Sequence, residues 1–351
     1  MMTNLPNVAL SLLDLAPVGD GTTAQDAVRA TVELAKHADE QGFTRFWLAE
    51  HHSMPGIASS APAVLIGAVA AATKTIRVGS GGVMLPNHAP LVIAEQFGTL
   101  AALHPGRIDL GLGRAPGTDR QTAAALRRSA EQLGPDDFPQ QLGELACFLA
   151  GEFPDAHPYR AIRAVPHATQ VPPIWLLGSS LYSAELAGVL GLPFAFAHHF
   201  SGTHTLPALE RYRTVFRPSA ALDEPYAIVT VQAVCAPDDA TAQRIALPAA
   251  LSFLRLRQGR PGQLPTPEQA AAHPWSPEER AFAAQRREGQ AIGGPTAVRE
   301  ALATLLDATA ADELMLSTLV HSPADRLRST ELIRGMFGDL PTGLGQAAAA
   351  F

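Results

Sequence analysis

Short apolar runs and segments of helical periodicity alternate along most of the chain. The run at 7–15 reads NVALSLLDL, and the segment after it carries Val28, Val32 and Ala35 at helical spacing before Gly42. Continuous apolar runs are typical of strands buried on both faces, whereas a single apolar stripe is typical of a helix that covers a sheet. The first 42 residues therefore predict one strand followed by one helix.

The same alternation continues to the end of the chain. Strand-like runs lie at 7–15, 45–51, 76–85, 107–113, 173–180, 193–199, 226–236 and 313–320. Helical patterns lie between them, including a polar helical stretch at 119–150 and a last helix at 323–337. About eight such strands, each followed by a helix, can close into a barrel. We therefore predict an α/β protein with one (β/α)8 TIM-like barrel domain over 1–351.

One segment departs from this rhythm. The stretch 258–294 is rich in Pro, Gln, Arg and Glu, and it follows the helical piece after the seventh strand. It is longer than an ordinary connection, which leaves two interpretations: a surface insertion that is disordered in part, or a lid over the mouth of the barrel. We treat it as a candidate mobile lid inserted within the single domain.

Composition and charge narrow the class of protein. The net charge of −7 and the absence of a basic run argue against binding to nucleic acid. Cys147 and Cys235 lie far apart in apolar runs, so a disulfide framework or a thiolate metal site is not expected. The N-terminus has no basic segment, and no apolar run is long enough to span a membrane. We expect a soluble, cytoplasmic protein.

The second strand ends in FWLAEHHSMPG, which places Glu50, His51 and His52 where a barrel carries its catalytic groups. These residues could form a metal site, a proton-transfer site or a helix start. Adjacent residues on a strand point to opposite faces, so one histidine should face inward and the other should pack elsewhere. Because no HExxH motif or other ligand set accompanies them, we predict no metal site.

Four other histidines are weaker candidates. His198 and His199 end the sixth strand and could face the same mouth, subject to the same argument about alternation. His88, in PNHAP, and His104, in LHPGR, lie in predicted turns, where surface or capping roles are expected.

A possible phosphate site follows the fourth and fifth strands. Arg114 follows RIDLGLG at the strand end, and Ser179, Ser180 and Ser183 surround the start of the next helix. Hydroxyls, free backbone N–H groups and a permanently charged guanidinium suit a phosphate. The glycines do not form GxGxxG or a P-loop, so neither a nicotinamide Rossmann site nor a nucleoside triphosphate site is supported.

The third strand contains Gly81 and Gly82, in VGSGGVML. Glycine weakens strand pairing unless the backbone bends or a ligand approaches it closely. The pair could let a flat ring lie against the main chain, or it could be a simple bulge. A monophosphate with a planar ring above this strand would account for both features.

These residues resemble the bacterial luciferase-like flavin monooxygenase family. The matching pieces are GFTRFWLAEHH, KTIRVGSGGVMLPNHAPLVIAEQFGTLAALHPGRIDLGLGRAPGT, PPIWLLGSSLYSAELAGVLGLPFAFAHHF and GGPTAVREAL. The resemblance implies a TIM-like barrel that binds reduced FMN, forms a flavin hydroperoxide with O2 and oxygenates a small organic substrate. It also implies a separate NAD(P)H:flavin reductase and a possible homodimer.

The resemblance also implies roles for individual residues. His51 matches the catalytic histidine of the family, and Glu50 accompanies it as an orienting partner, which leaves His52 for packing. Arg114 matches the arginine that holds the FMN phosphate, together with Ser179, Ser180 and Ser183. Gly81 and Gly82 fall where the family bends the third strand beneath the flavin, often through a cis peptide bond.

The resemblance leaves alternatives open. A related branch uses a deazaflavin cofactor and transfers hydride without oxygen, but it tends to carry one histidine after an aspartate instead of EHH. A non-catalytic flavin-binding protein would need neither His51 nor the insertion, and a metal-dependent hydrolase would need the missing ligands. Gly113 and Ser179 stand where bacterial luciferase has a cysteine and a glutamate, which argues against light emission.

Overall fold

The computed structural model describes residues 5, 7–115, 119–126, 137–167, 169–200, 202–339, 341 and 343. Its strands are β1 Ala9–Asp14, β2 Arg45–Leu48, β3 Arg77–Ser80, β4 Val83–Met84, β5 Ile108–Gly113, β6 Ile174–Gly178, β7 Phe194–Phe196, β8 Ala227–Cys235, β9 Ala291–Gly293 and β10 Glu313–Ser317. Its helices are α1 Ala24–Glu40, α2 Pro62–Ala72, α3 Pro90–Leu103, α4 Arg120–Leu126, α5 Phe138–Ala150, α6 Leu181–Leu190, α7 Thr205–Val215, α8 Asp239–Arg257, α9 Pro267–Ala272, α10 Pro277–Arg287, α11 Pro295–Thr309 and α12 Pro323–Arg334.

Eight of these strands form a closed parallel ring. The order is β1, β2, β3, β5, β6, β7, β8 and β10, and β10 pairs with both β8 and β1. The short strands β4 and β9 extend the ring at β5 and β8. The strands are apolar because the helices cover the outside of the ring while side chains fill its inside. The predicted (β/α)8 barrel is confirmed.

Two strands differ from their predicted bounds in ways that affect the site. The run 76–85 divides into β3 and β4 at Gly81–Gly82, whose peptide bond is cis. The run 45–51 ends as a strand at Leu48, so Glu50 and the two histidines lie in the loop that follows. Part of the helical stretch predicted at 119–150 falls outside the described residues.

The N-terminal end of the barrel is filled by a buried ionic network. The Arg45 guanidinium donates to Glu313 through Nε at 2.8 Å and to Asp109 through Nη1 at 2.9 Å, and all three side chains are fully buried. Arg77 contributes a second guanidinium to Asp109, at 2.6 Å. Burial alone would raise the pKa of Asp109, but the Arg77 and Arg45 charges outweigh it and lower the pKa. Each charge in this network therefore has a partner.

The insertion after the seventh barrel strand is folded. It contains α9, α10 and β9, and β9 pairs in parallel with the end of β8. Leu264 exchanges backbone hydrogen bonds with the loop after β1, donating to Val18 at 2.9 Å and accepting from Asp20 at 2.8 Å. The position of the insertion after the seventh strand is confirmed, and its motion as a lid stays a prediction.

Among the described helices, none combines the length and the apolar character that crossing a membrane requires.

Candidate functional site

Glu50 joins two histidines and one backbone amide at the C-terminal end of the barrel. Its Oε1 lies 2.8 Å from His52 Nε2 and 2.8 Å from His88 Nε2, and its Oε2 accepts from the Met84 N–H at 3.1 Å. Because an ionised carboxylate only accepts hydrogen bonds, both imidazoles carry a proton on Nε2. We call this group the Glu50 clamp: Glu50, His52, His88 and the Met84 amide.

The clamp stabilises the charged form of Glu50. The carboxylate is buried, which alone would raise its pKa, but the hydrogen bond and charge of His88, the His52 bond and the Met84 N–H together lower the pKa below its ordinary value. The clamp also connects the loop after β2 to the segment after the cis Gly81–Gly82 bond. Two neighbouring strand ends are thereby held together.

The structure gives Glu50 and His52 contacts that the sequence did not indicate, and their functional roles stay predictions. Glu50 was expected to orient His51, but its hydrogen bonds go to His52 and His88. His52 was expected only to pack, yet it is part of the clamp. The reason is that β2 ends at Leu48, and Ser53 adopts a left-handed backbone with φ of 56°, so the alternation of a strand does not extend to these residues.

His51 lies next to the clamp with one ring nitrogen unpaired. Its Nδ1 is buried and has no hydrogen-bond partner among the described residues, while its backbone N–H donates to Ser59 at 3.0 Å. Burial lowers the pKa of His51, and the charge of Glu50 opposes that shift. A neutral imidazole with a buried free nitrogen is suited to hydrogen bonding or proton transfer with a bound molecule.

Gly81 and Gly82 lie in close contact with neighbouring strands of the barrel. A Cβ on Gly81 would come within 2.5 Å of a Leu13 methyl group, and a Cβ on Gly82 within 2.8 Å of the Gly111 carbonyl oxygen. The close neighbours are therefore strands β1 and β5. Contact between this backbone and a flavin ring stays a prediction.

Arg114 and the serines lie around the start of α6. The Arg114 guanidinium carbon lies 4.3 Å from the ring centroid of Tyr182, in the first turn of this helix. Ser180 is the N-cap residue, but its side chain makes no capping hydrogen bond. Ser179 is exposed, whereas Ser183 is buried under Gly178. The helix therefore begins with backbone N–H groups that its N-cap side chain does not use.

This arrangement suits a phosphate group. The hydroxyls of Ser179, Ser180 and Ser183 make no hydrogen bond to another group within the described ranges. Free hydroxyls, an uncapped helix start and a nearby guanidinium are the donors that a phosphate requires. The residues could therefore hold the phosphate of FMN.

The two histidines after β7 both form side-chain hydrogen bonds. His198 binds the Thr205 hydroxyl through Nδ1 at 2.7 Å and donates through Nε2 to the Gly289 carbonyl at 3.0 Å. His199 donates through Nδ1 to the Thr230 carbonyl at 3.2 Å. Burial, aided by the charges of nearby groups, lowers the pKa of His199 to about 4. At neutral pH its Nε2 is therefore an acceptor.

The clamp also has the composition of a metal site. One oxygen of Glu50 and one nitrogen each of His52 and His88 lie within 4.8 Å of one another. However, each nitrogen lies at hydrogen-bond distance from the same oxygen, so the three side chains satisfy one another without an ion. We assign these contacts as hydrogen bonds, and the absence of a metal stays a prediction.

The sequence did not indicate the contacts of two residues in this region. His88 was placed in a turn with a surface role, and its contact with Glu50 spans 38 positions of the chain. Arg286, in the last turn of α10, acts electrostatically on His199. The only sequence signal for His88 is its position shortly after the third strand, where the mouth of the barrel begins.

Comparisons with known proteins identify the family of this chain. The family model described as luciferase-like monooxygenase matches residues 9–313. A luciferase-like monooxygenase of Escherichia coli K12 is 48% identical over 325 residues, which cover 93% of this chain and 96% of that protein. The crystal structure of apo-MsnO8 superposes with a TM-score of 0.84 at 39% identity, covering 94% of this chain and 98% of that one.

A relative of named activity matches part of the chain. The N-acetyl-S-alkylcysteine monooxygenase of Bacillus subtilis is 47% identical over 196 residues, which cover 56% of this chain and 58% of that protein. More distant structures share the fold: an FMN complex of a 3,6-diketocamphane monooxygenase component has a TM-score of 0.69 and 20% identity over 93% of this chain and 97% of its own. The match across residues 9–313 and the relatives of similar length show that this chain belongs to the luciferase-like monooxygenase family.

Proposed function

We propose that the protein is a monooxygenase that uses reduced FMN and O2 to oxygenate a small organic substrate. The observation that carries the proposal is the start of α6, where Arg114 lies on Tyr182 beside an uncapped helix N-terminus. Family membership makes a flavin the expected ligand of such a site, and FMN carries the single phosphate that it suits. Reduced FMN, when bound, supplies the electrons that activate O2.

The residues around the cofactor would have separate tasks. Arg114, Ser179, Ser180 and Ser183 would hold the phosphate, and Gly81 and Gly82 would lie beneath the ring. His51 would exchange a proton with the reacting molecule through its free Nδ1. Glu50 would act indirectly, because the clamp fixes the loop that carries His51. We therefore keep His51 as the catalytic residue and assign Glu50, His52 and His88 as positioning residues.

The relatives suggest the first substrates to test. N-acetyl-S-alkylcysteines are the substrates in the name of the Bacillus subtilis relative, which covers about half of this chain. A separate NAD(P)H:flavin reductase would provide the reduced flavin, and a homodimer is the proposed assembly. The two cysteines are free, which suits the reducing cytoplasm.

An anaerobic titration tests the cofactor. The protein is titrated with reduced FMN, reduced riboflavin and a reduced deazaflavin, and binding is followed by the flavin absorbance. We expect the protein to prefer FMN to riboflavin, because riboflavin lacks the phosphate. Addition of 18O2 and an N-acetyl-S-alkylcysteine should then place one labelled oxygen atom in the product, as measured by mass spectrometry.

A deazaflavin-dependent reaction is the alternative function. An F420-dependent secondary alcohol dehydrogenase has the same fold, with a TM-score of 0.67 at 14% identity, covering 95% of this chain and 100% of its own. Tight binding of the deazaflavin alone would support this alternative and reject the monooxygenase. Tight binding of FMN without oxygen transfer to any substrate would instead favour a flavin-binding protein without catalysis.

A further inference from the structure

We propose that Arg286 binds an anionic group of the organic substrate, so that the substrate is a small organic acid. The inference rests on the proposed function, because it names the substrate class of the same site. It concerns the side of the mouth that is formed by β7, β8 and the insertion, away from the phosphate donors at α6.

The end of α10 is fixed at the mouth of the barrel. Arg286 is the next-to-last residue of this helix. Three positions later, the Gly289 carbonyl accepts the hydrogen bond from His198, which follows β7. Gln290 donates to Gln232 of β8 at 3.3 Å. The last turn of α10 is therefore attached to two neighbouring strand ends.

The Arg286 guanidinium is oriented but lacks a counterion. Its Cζ lies 3.5 Å from the ring centroid of Phe253, and the side chain is partly buried. Within the described ranges, no carboxylate lies at ion-pair distance from it. Stacking on an aromatic ring leaves the N–H groups at the edge of the guanidinium available for hydrogen bonds. A partly buried, unpaired charge is costly unless a bound anion compensates it.

Two other arginines differ from Arg286, because each of them is paired with a carboxylate. Arg211 pairs with Glu185 at 2.7 Å, and Arg328 pairs with Glu331 at 2.9 Å, although both pairs are exposed and need little compensation. The Arg286 side chain is partly buried against the Phe253 ring, and no carboxylate of the described residues lies at ion-pair distance from it. A guanidinium in this setting is available to a bound anion.

Arg286 lies on the side of the mouth that carries the two histidines after β7. The segment after its helix is joined to His198 through the Gly289 carbonyl, and the Arg286 charge contributes to the lowered pKa of the neighbouring His199. A histidine side chain is either neutral or positively charged, so His199 cannot compensate the guanidinium. A substrate anchored to Arg286 through an anion would therefore lie beside these histidines. A carboxylate is the simplest anion that matches the planar, two-pronged guanidinium.

Paired ligands separate the roles of charge and shape. N-acetyl-S-benzylcysteine and its primary carboxamide have nearly the same shape, but only the first carries a carboxylate. Binding of each to the FMN-loaded protein is measured by calorimetry, together with the corresponding pair of S-methyl compounds. We expect the acid to bind at least about 10-fold more tightly than the amide, as for a charge-assisted bidentate bond.

Three variants test the assignment to Arg286. Arg286→Gln should abolish the preference for the acid, and Arg286→Lys should retain part of it. Arg280→Gln, on the exposed side of the same helix, is the matched control and should bind like the native protein. Thermal melting of each variant verifies that the fold is retained.

Three outcomes would overturn the inference. The first is that the native protein binds acid and amide equally, or binds neither. The second is that Arg286→Gln keeps the preference. The third is that Arg286→Gln weakens FMN binding but leaves riboflavin binding unchanged, since Arg286 would then hold the cofactor phosphate. Failure of the proposed function is a separate result, because a native protein that does not bind FMN is identified in the titration before any acid is added.

Discussion

The two ends of the barrel differ in how completely their polar groups are paired, because the C-terminal end combines the paired carboxylate of Glu50 with groups that lack a partner. At the N-terminal end, Arg45 is fully buried and bonded to two carboxylates, Asp109 and Glu313. At the C-terminal end, His51 has a buried free nitrogen and Arg286 has no counterion within the described ranges. Satisfied polar groups fix a structure, whereas unsatisfied ones gain from a ligand. The comparison separates residues that maintain the fold from residues that are available for chemistry.

Asp109→Asn should have the largest effect on stability. The change leaves the Arg45 and Arg77 guanidinium groups buried beside an amide instead of a carboxylate, and breaking a buried ion pair in this way costs about 3–5 kcal/mol. Urea denaturation followed by circular dichroism measures the free energy of unfolding. Glu331→Gln, the same chemical change in an exposed ion pair, is the control and should cost less than about 1 kcal/mol. Equal losses in the two variants would contradict the contrast between the ends.

His51→Ala should affect activity and leave the fold intact. If the imidazole transfers a proton, turnover should fall by roughly 10²–10⁴-fold. The affinity for FMN and the melting temperature should change little, because Nδ1 makes no hydrogen bond within the described part of the chain. Steady-state kinetics with a flavin reductase measures turnover, and His104→Ala at the opposite end is the control. A loss of less than tenfold would remove His51 from the catalytic role.

Arg114→Ala should weaken the binding of FMN specifically. Loss of one charge-assisted contact to a phosphate is expected to raise the dissociation constant by about 10–100-fold. Riboflavin, which has no phosphate, should bind the variant and the native protein equally well. Fluorescence titration measures both ligands, and Arg211→Ala on the surface of α7 is the control. An equal loss for both flavins would mean that Arg114 supports the structure of the site instead of the phosphate.

Glu50→Gln should have the smallest effect, and it should depend on pH. The folded protein lowers the pKa of Glu50 below the ordinary value of 4.5, so the ionised carboxylate stabilises the fold above pH 4.5, and this contribution is lost as the pH falls through the lowered pKa. At pH 7 the variant should be about 1–2 kcal/mol less stable than the native protein, because the amide is a poorer partner for two imidazoles.

Urea denaturation of both proteins at pH 7 and near pH 3.5 tests this linkage. The difference in unfolding free energy between native and variant protein should shrink at the lower pH. A difference that is the same at both pH values would show that the charge of Glu50 contributes nothing to the clamp.

The fold could be predicted because its signal repeats. Eight apolar runs separated by helical patterns require only local periodicity to be recognised, and the resulting barrel was confirmed. The bounds of single strands were less certain. Because β2 ends two residues before Glu50, the alternation of a strand does not describe Glu50, His51 and His52. The side-chain hydrogen bonds of Glu50 go to His52 and His88 instead of His51.

The parts of the site that the sequence did not predict are formed by residues that lie far apart in the sequence and close together in space. His88 and Glu50 meet across two strand ends, and nothing in the local sequence of PNHAP specifies that contact. Arg286 was missed because the sequence does not show which charged side chains lack a partner. No carboxylate of the described residues lies at ion-pair distance from Arg286, and an unpaired charge is recognised only after the neighbours of a side chain are known.

Because β8 pairs directly with β10, the segment 258–294 between them can change in evolution while the ring stays closed. The ring is closed by the register of Glu313 with Ile228, so closure of the barrel does not require any residue of 258–294. Within that segment, only β9 adds to the sheet, at the tip of β8. The segment can thus change in length and composition without breaking a strand pairing of the ring. Selection for a new substrate can act on this segment while the barrel and the cofactor donors remain the same.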